Sequence, residues 1–385
     1  MTTYLVLGAR APAALEICRG LSSGGNRVIA ADSMATPVAR WSRHVSKFHR
    51  IPAATDRQAY AEALARIVDE DGISMIIPTC EEVFHLAMVR DRLPPSCGVF
   101  ADDIAKLRLL HDKYTFTKAA TGCGIGIPRT LLLRSWRRLA DSWERELTDV
   151  DLVYKRCFSR FAEGTLVRPK IDQVNRLRPS PTEPWIAQEF IPGEELCSYA
   201  VAVEGRMTAL AIYRPLHRAG KGAGICFEPV VSPEIEEFVS RFVEKHGFTG
   251  QISFDYIVSP ERGPFVIECN PRATSGVHLM PRDTDWGSVF SGTVRSPVRA
   301  GHEKAMVGLA MATYGLSSSR GAWRSIRDFM ASKDVVMRKG DPMPALGQVF
   351  ATAETLLRAF RDGISPLAST TSDIEWNGPL TDRRD

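Results

Sequence analysis

Apolar and polar positions along the first hundred residues repeat with two different periods. Tyr4-Leu-Val-Leu-Gly8 is a short apolar run that ends in glycine. Behind it Leu15, Ile17 and Leu21 follow a helical spacing, and Arg27-Val-Ile-Ala-Ala-Asp32 is a second apolar run. The alternation continues with a helical segment over 57–69, a strand over 73–77, a helix over 83–89 and a short apolar stretch over 98–100. Strands alternating with helices predict a parallel sheet covered on both faces, an α/β unit over residues 1 to about 105.

The next stretch, 106–130, reads as one helix carrying Asp112-Lys113 and ended by Gly122, Gly124, Gly126 and Pro128. Beyond it β-formers dominate, over 151–155, 185–191, 195–203, 207–213, 251–258 and 264–269. Glu204-Gly205 and Pro260-Glu-Arg-Gly263 supply hairpin turns, so this part is α+β. From about 295 the pattern becomes helical again, with Asp341 as N-cap and Pro342 as first helical residue of a long segment ending near Arg361.

A chain of 385 residues with 44% hydrophobic and 24% charged residues can bury two or three cores. The net charge of +4 is mild and its cations are interspersed with Asp and Glu, which gives no nucleic-acid footprint but suits anionic small molecules. No apolar run approaches the ~20 residues of a membrane span, and the N-terminus reads as a strand rather than a secretory signal. A cytoplasmic protein without membrane partners is expected. The eight cysteines form no C-x-x-C pair and several sit in apolar runs, as buried reduced thiols do; zinc is not expected.

Gly8 after one strand and Asp32 at the end of the next suggest a dinucleotide site. After Gly8, however, comes Ala-Arg-Ala-Pro-Ala, without the glycines that let a pyrophosphate approach the backbone. Thr79-Cys-Glu-Glu82 has the spacing of a helix capping box, although Glu81 or Glu82 at that sheet edge could also face a substrate amine.

The strongest chemical signal is Phe254-Asp255-Tyr256 with Ile267-Glu-Cys-Asn-Pro-Arg272. A turn centred between Glu261 and Arg262 places Asp255 opposite Glu268, and alternation puts Asn270 on the face of Glu268. Two adjacent carboxylates repel unless a cation or shared proton lies between them, and three oxygen donors suit Mg²⁺. Lys113 in its helix and Lys155 at a strand end, next to a loop with Ser159 and Gly164, are placed to meet phosphate oxygens. Gln188-Glu-Phe-Ile-Pro-Gly-Glu-Glu195 connects two strands, and its free backbone groups can pair with a purine edge while Glu195 meets ribose hydroxyls. The segment 213–224 is basic and Gly-rich and reads as a loop; its Arg214, Arg218 and Lys221 could pair with a phosphate or carboxylate. His217 and His278 could act as bases, although a lone histidine is more often structural.

Taken in order, Lys113, Lys155, Gln188 to Glu195, Asp255 and Glu268-x-Asn270 resemble the ATP-grasp superfamily, which includes D-alanine–D-alanine ligase, biotin carboxylase and the carbamoyl-phosphate synthetase large subunit. The Asn270-Pro-Arg272 run is closest to the last. The resemblance covers residues 1 to about 290. It implies a Rossmann-like domain over 1–108, a mobile lid over 109–190, a large subdomain with the metal site over 191–294, and a helical C-terminal extension over 295–385. By the same resemblance Lys113 and Lys155 hold phosphates, the backbone of Gln188, Glu189 and Ile191 reads adenine, and Glu195 the ribose. Asp255, Glu268 and Asn270 bind one or two Mg²⁺, or Mn²⁺, and Arg272 lies beside an acyl phosphate.

The implied function is ATP- and Mg²⁺-dependent coupling of a small carboxylate to an amine through an acyl phosphate, releasing ADP and phosphate. A phosphotransferase and a non-catalytic ATP sensor are the alternatives. Homodimers are common among the proteins it resembles. The loop after Lys155 departs from the pattern, with Phe158, Arg160, Phe161 and Glu163 where glycine and serine are usual.

Overall fold

The computed structural model describes residues 1–142, 146–159, 164–219, 223–315 and 322–378. The N-terminal strands β1 (Thr3–Leu7), β2 (Arg27–Asp32), β3 (Lys47–Arg50), β4 (Met75–Ile77) and β5 (Gly98–Val99) form a parallel sheet in the order β3-β2-β1-β4-β5. Leu5, Val6, Ile29, Ala30, Ile76 and Ile77 are fully buried. Covered on both faces, these strands are continuous apolar runs rather than alternating ones. The short β3, KFHR, carries no such run, which is why the pattern along the chain does not announce it. Gly8 leaves β1 with φ of 71°, a conformation that favours glycine.

The expected single helix over 106–130 is two, Ile104–His111 and Lys113–Ala120, broken at Asp112. The Asp112 carboxylate accepts from the backbone N–H groups of Tyr114 and Thr115, at 2.8 and 3.2 Å, and so restarts the chain as a new helix with Lys113 in its first turn. The capping box at Thr79 is half formed. Glu82 accepts from the Thr79 N–H at 2.8 Å, but the Thr79 hydroxyl donates to the Leu7 carbonyl instead.

Strands β6 (Thr130–Leu133), β7 (Leu152–Arg156), β8 (Leu166–Val167) and β9 (Trp185–Glu189) form an antiparallel sheet in the order β6-β9-β7-β8. A larger sheet follows. It joins β10 (Glu194–Val203), β11 (Arg206–Ala219), β12 (Ala223–Pro229), β13 (Gly250–Ser259), β14 (Gly263–Asn270), β15 (Val298–Arg299), β16 (Ala305–Met306) and β17 (Lys333–Asp334). The basic segment over 213–224 is therefore not a loop: its described residues are the arms of the β11–β12 hairpin, which two register shifts interrupt at His217. Glu204 and Gly205, with φ of 49° and 78°, make the two-residue β10–β11 turn that their sequence predicts. The helix Pro233–Lys245 packs on this sheet through Ile235, Phe238, Val239, Phe242 and Val243, one helical face, and Phe238 meets Phe254 edge-on at 5.1 Å.

The C-terminal stretch is mainly helical but adds β15, β16 and β17 to the large sheet. Asp341 does not cap the helix Met343–Asp362, whose N-cap is Pro342. Its carboxylate is instead engaged by Arg19 at 2.8 Å and by the Ser42 hydroxyl at 2.7 Å. Arg10 bonds Asp32 at 3.0 Å and Asp373 at 2.6 Å, so the acidic residue at the end of β2 is tied to the far end of the chain. No helix among the described residues is long and apolar enough to cross a membrane. The cysteines are all free, and all but Cys80 are buried.

Candidate active site

The four-stranded antiparallel sheet and the larger, mixed sheet face each other across a cavity of about 510 Å³. The smaller sheet contributes Val153, Lys155 and Gln188, and the larger contributes Glu195, Tyr213, Asp255 and Glu268. The connection between the sheets, Phe190 to Gly193, runs along one edge. Gly193 lies so tightly against β13 that a Cβ would fall 2.3 Å from the Val258 carbonyl oxygen. The Ile191 N–H finds no backbone acceptor among the described residues.

Asp255 stands opposite Glu268, as the pairing of the two strands requires, but the turn that brings them there is not centred where the sequence suggests. Ser259 pairs with Gly263 and Tyr256 with Val266, which centres the turn on Glu261. A register shift between Tyr256 and Asp255 then inserts Ile267 as an extra residue. Ile267 and Glu268 both line the cavity, whereas Val266 and Cys269 on either side are buried in the core.

Lys113 arrives from the start of its helix, 3% exposed, and its ammonium lies 3.2 Å from Glu268 and 3.1 Å from the Ser159 carbonyl. Lys155 arrives from the opposite sheet, also buried, and donates to Gln188 Oε1 at 3.0 Å. Burial, with Lys113 nearby, holds the Lys155 ammonium below its ordinary value against the pull of Glu268. Burial also pushes the Asp255 carboxyl up, to about 7, and neighbouring Glu268 and Glu195 add to the shift.

Asn270 Nδ2 donates to Asp255 at 3.4 Å; turning the amide over presents its oxygen to the same point. Among the described residues no three His, Cys, Asp or Glu side chains converge, and Asp255, Glu268 and Asn270 could together offer two carboxylates and one amide oxygen to a cation. That set leaves positions open for water and phosphate oxygens, which fits Mg²⁺ and not a structural zinc.

Of the remaining residues singled out from sequence, Ile191, Glu195, Arg218 and Arg272 line the cavity, and Arg218 is ion-paired with Glu195. Glu189 also lines it, with its carboxylate held by Arg262 at 2.6 Å. Arg214 is not brought there. Its neighbours Tyr213 and Pro215 face the cavity, while Arg214 pairs with Glu194 and Glu228, the latter at 2.9 Å. Lys221 lies outside the described residues. His217 is buried against Asp328 at 2.9 Å, and His278 lies 3.6 Å from Glu16.

Sequence reasoning missed Tyr213, Phe227, Ile257, Thr274 and Ser275 in the cavity wall. The first three belong to strands buried on both sides, where a cavity residue and a core residue look alike. Thr274 is placed by hydroxyl contacts to Ser253 at 2.9 Å and Tyr213 at 3.3 Å, and only the folded chain brings these together.

Facing sheets, a cavity between them, and lysines and carboxylates converging from its walls form a site that suits a phosphate-bearing ligand with its own cation. Residues 110–276 of the chain match the family model described as an ATP-grasp domain. Among solved structures it resembles N5-carboxyaminoimidazole synthetase from Staphylococcus aureus, with TM-score 0.63 and 14% identity over 81% of this chain and 84% of that one. It also resembles an L-amino acid ligase from Bacillus licheniformis, with TM-score 0.55 and 14% identity over 75% and 74% of the two chains. The biotin carboxylase domain of 2-oxoglutarate carboxylase from Hydrogenobacter thermophilus, a dimer solved with MgADP and bicarbonate, gives TM-score 0.60 and 12% identity over 78% and 73%. These likenesses establish the fold. No curated protein matches the sequence.

Proposed function

We propose that this protein is an ATP- and Mg²⁺-dependent ligase that activates a small-molecule carboxylate as an acyl phosphate and couples it to an amine. The observation that carries the reading is the convergence of Lys113 and Lys155, from opposite walls, on the carboxylate pair Asp255 and Glu268. Two buried ammonium groups beside two carboxylates form a site for a polyanion with its own cation. Similarity to a domain solved with MgADP supports the same nucleotide.

In this reading the backbone at Ile191 pairs with the adenine edge and Glu195 faces the ribose. Lys155 and Lys113 lie along the phosphates. Asp255, Glu268 and Asn270 would hold the Mg²⁺, which when bound offsets charge on the β- and γ-phosphates. A carboxylate oxygen attacks the γ-phosphorus in line, its bond to the ADP oxygen breaks, and ADP leaves. The amine then attacks the acyl carbon, phosphate departs, and the amine proton is lost to solvent. Arg272, at the cavity wall, donates to the developing oxyanion.

The carboxylate and the amine are to be found by a screen that reports phosphate release from MgATP across pairs of small acids and amines. Release that requires both supports the ligase. A stable phosphorylated acid formed without an amine would make the protein a phosphotransferase, and MgATP binding without turnover across the screen would make it a sensor. A cytoplasmic homodimer completes the proposal, and sedimentation of the full chain measures its assembly.

A further inference from the structure

The C-terminal segment does not line the cavity but packs behind its wall, against Phe158 and Glu81. Trp376, 3% exposed, lies flat against Phe84 at 4.8 Å between ring centroids and meets Phe158 edge-on at 5.7 Å. Phe158 belongs to the loop that follows Lys155, next to Ser159, whose carbonyl receives the Lys113 ammonium. Gly378 is pressed onto the same ring, so that a Cβ there would come within 2.7 Å of it. On its other side the Trp376 backbone N–H donates to Glu81 Oε2 at 3.3 Å. Glu81, 2% exposed, turns its second oxygen to within 3.9 Å of Arg272 Nε, a buried atom with no hydrogen-bond partner among the described residues. One residue near the end of the chain thus bears on the loop beyond Lys155 and, through Glu81, on the arginine of the cavity wall.

We infer, resting on the ligase reading above, that segment 374–378 is a working support of the catalytic cavity and that Trp376 and Glu81 are positioning residues. Trp376 wedges Phe158 and with it the loop that leads from Lys155. Glu81, fixed by the Trp376 backbone, aims the Arg272 guanidinium. A side chain oriented by a buried partner loses less freedom on meeting its ligand, which is the physical gain of the arrangement.

The test is a titration of the full chain with MgATP, followed by calorimetry and by tryptophan fluorescence. The sequence holds seven tryptophans, and the difference between wild type and Trp376→Phe isolates Trp376. A saturable MgATP-dependent signal is expected in wild type and lost in Trp376→Phe. Trp376→Ala should weaken MgATP affinity about fivefold, the size of one lost aromatic pair, and Trp376→Phe should restore it. Glu81→Gln should change affinity about threefold in the wild-type background and not at all in Arg272→Ala, because coupling disappears when the partner is gone.

Unchanged affinity in Trp376→Ala, with additive effects of Glu81→Gln and Arg272→Ala, would overturn the inference and leave the ligase reading standing. Absence of MgATP binding in wild type would overturn the ligase reading, and the inference with it. Should Trp376→Ala fail to fold, the Glu81–Arg272 cycle decides, since neither change opens a cavity in the apolar core.

Discussion

Asp255 and Glu268 face each other across β13 and β14 only because Ile267 bulges out between Val266 and Glu268. If the register set at the turn ran on unbroken, Glu268 would stand opposite Phe254 and share its core-facing side, since one residue of slip exchanges the faces of a strand. The bulge is therefore what delivers the second carboxylate to the cavity.

Replacing Glu268 by Gln keeps the shape and removes a charge from the proposed metal pair. Phosphate release from MgATP with the substrates that the screen identifies should fall about a hundredfold or more, with the protein still folded by circular dichroism. Near-normal turnover would refute the assignment of Glu268 to the metal.

The raised Asp255 carboxyl gives metal binding a pH dependence. With its value pushed up to about 7, Asp255 holds a proton below that pH and must release it to a metal. Mg²⁺ affinity should consequently rise with pH through about 7 and fall by up to about tenfold per unit below it. In the metal-free protein the same shift costs stability as pH rises from the ordinary carboxylate range towards 7. Added Mg²⁺ should thus raise Tm more on the alkaline side of 7 than on the acid side, a difference that Asp255→Asn removes.

Asp373 behaves in the opposite sense. Although burial raises it, Arg10, Ser33 and Arg358 hold its carboxyl down to about 2. A depressed carboxylate stabilises the fold above its unfolded value and loses that contribution as pH falls towards 2. Asp373→Asn should cost about 2 kcal/mol near neutral pH and flatten the acid limb of the stability profile, both read from urea melts between about pH 3 and pH 7.

Gly193→Ala tests the connection between the sheets. Its Cβ would meet the backbone of Val258, which cannot swing aside as a side chain can. The connection must lift from β13, at a cost of about 1–3 kcal/mol in stability, and calorimetry should show weaker MgATP binding because Ile191 moves with it.

The longer apolar strands and the N-terminal helices were legible from periodicity because the burial of each is written into its own side chains, whereas short strands such as β3 and the helix Pro233–Lys245 were not anticipated. The turn at Glu204-Gly205 was legible because few residue pairs accept its backbone angles. The break at Asp112 was not, since Asp is a tolerable helix residue until its carboxylate turns back to cap the next one. The arm of β11 beyond Tyr213 was obscured for a similar reason: Arg214 and Arg218 on a strand look like a polar loop until Glu194, Glu195 and Glu228 are seen paired with them.

Local pattern by itself determined the parallel N-terminal sheet and the antiparallel strands, because each depends on residues close in the chain and on a fixed period, whereas the pairing of Asp255 with Glu268 needed the bulge at Ile267 that no period announces. Tertiary structure alone decided that Lys113 meets Glu268, that Arg214 turns from the cavity while Arg218 enters it, and that Trp376 seats between Phe84 and Phe158. These contacts join segments far apart in sequence, and what selects them is the packing of whole sheets and helices, for which no short stretch of sequence carries a period.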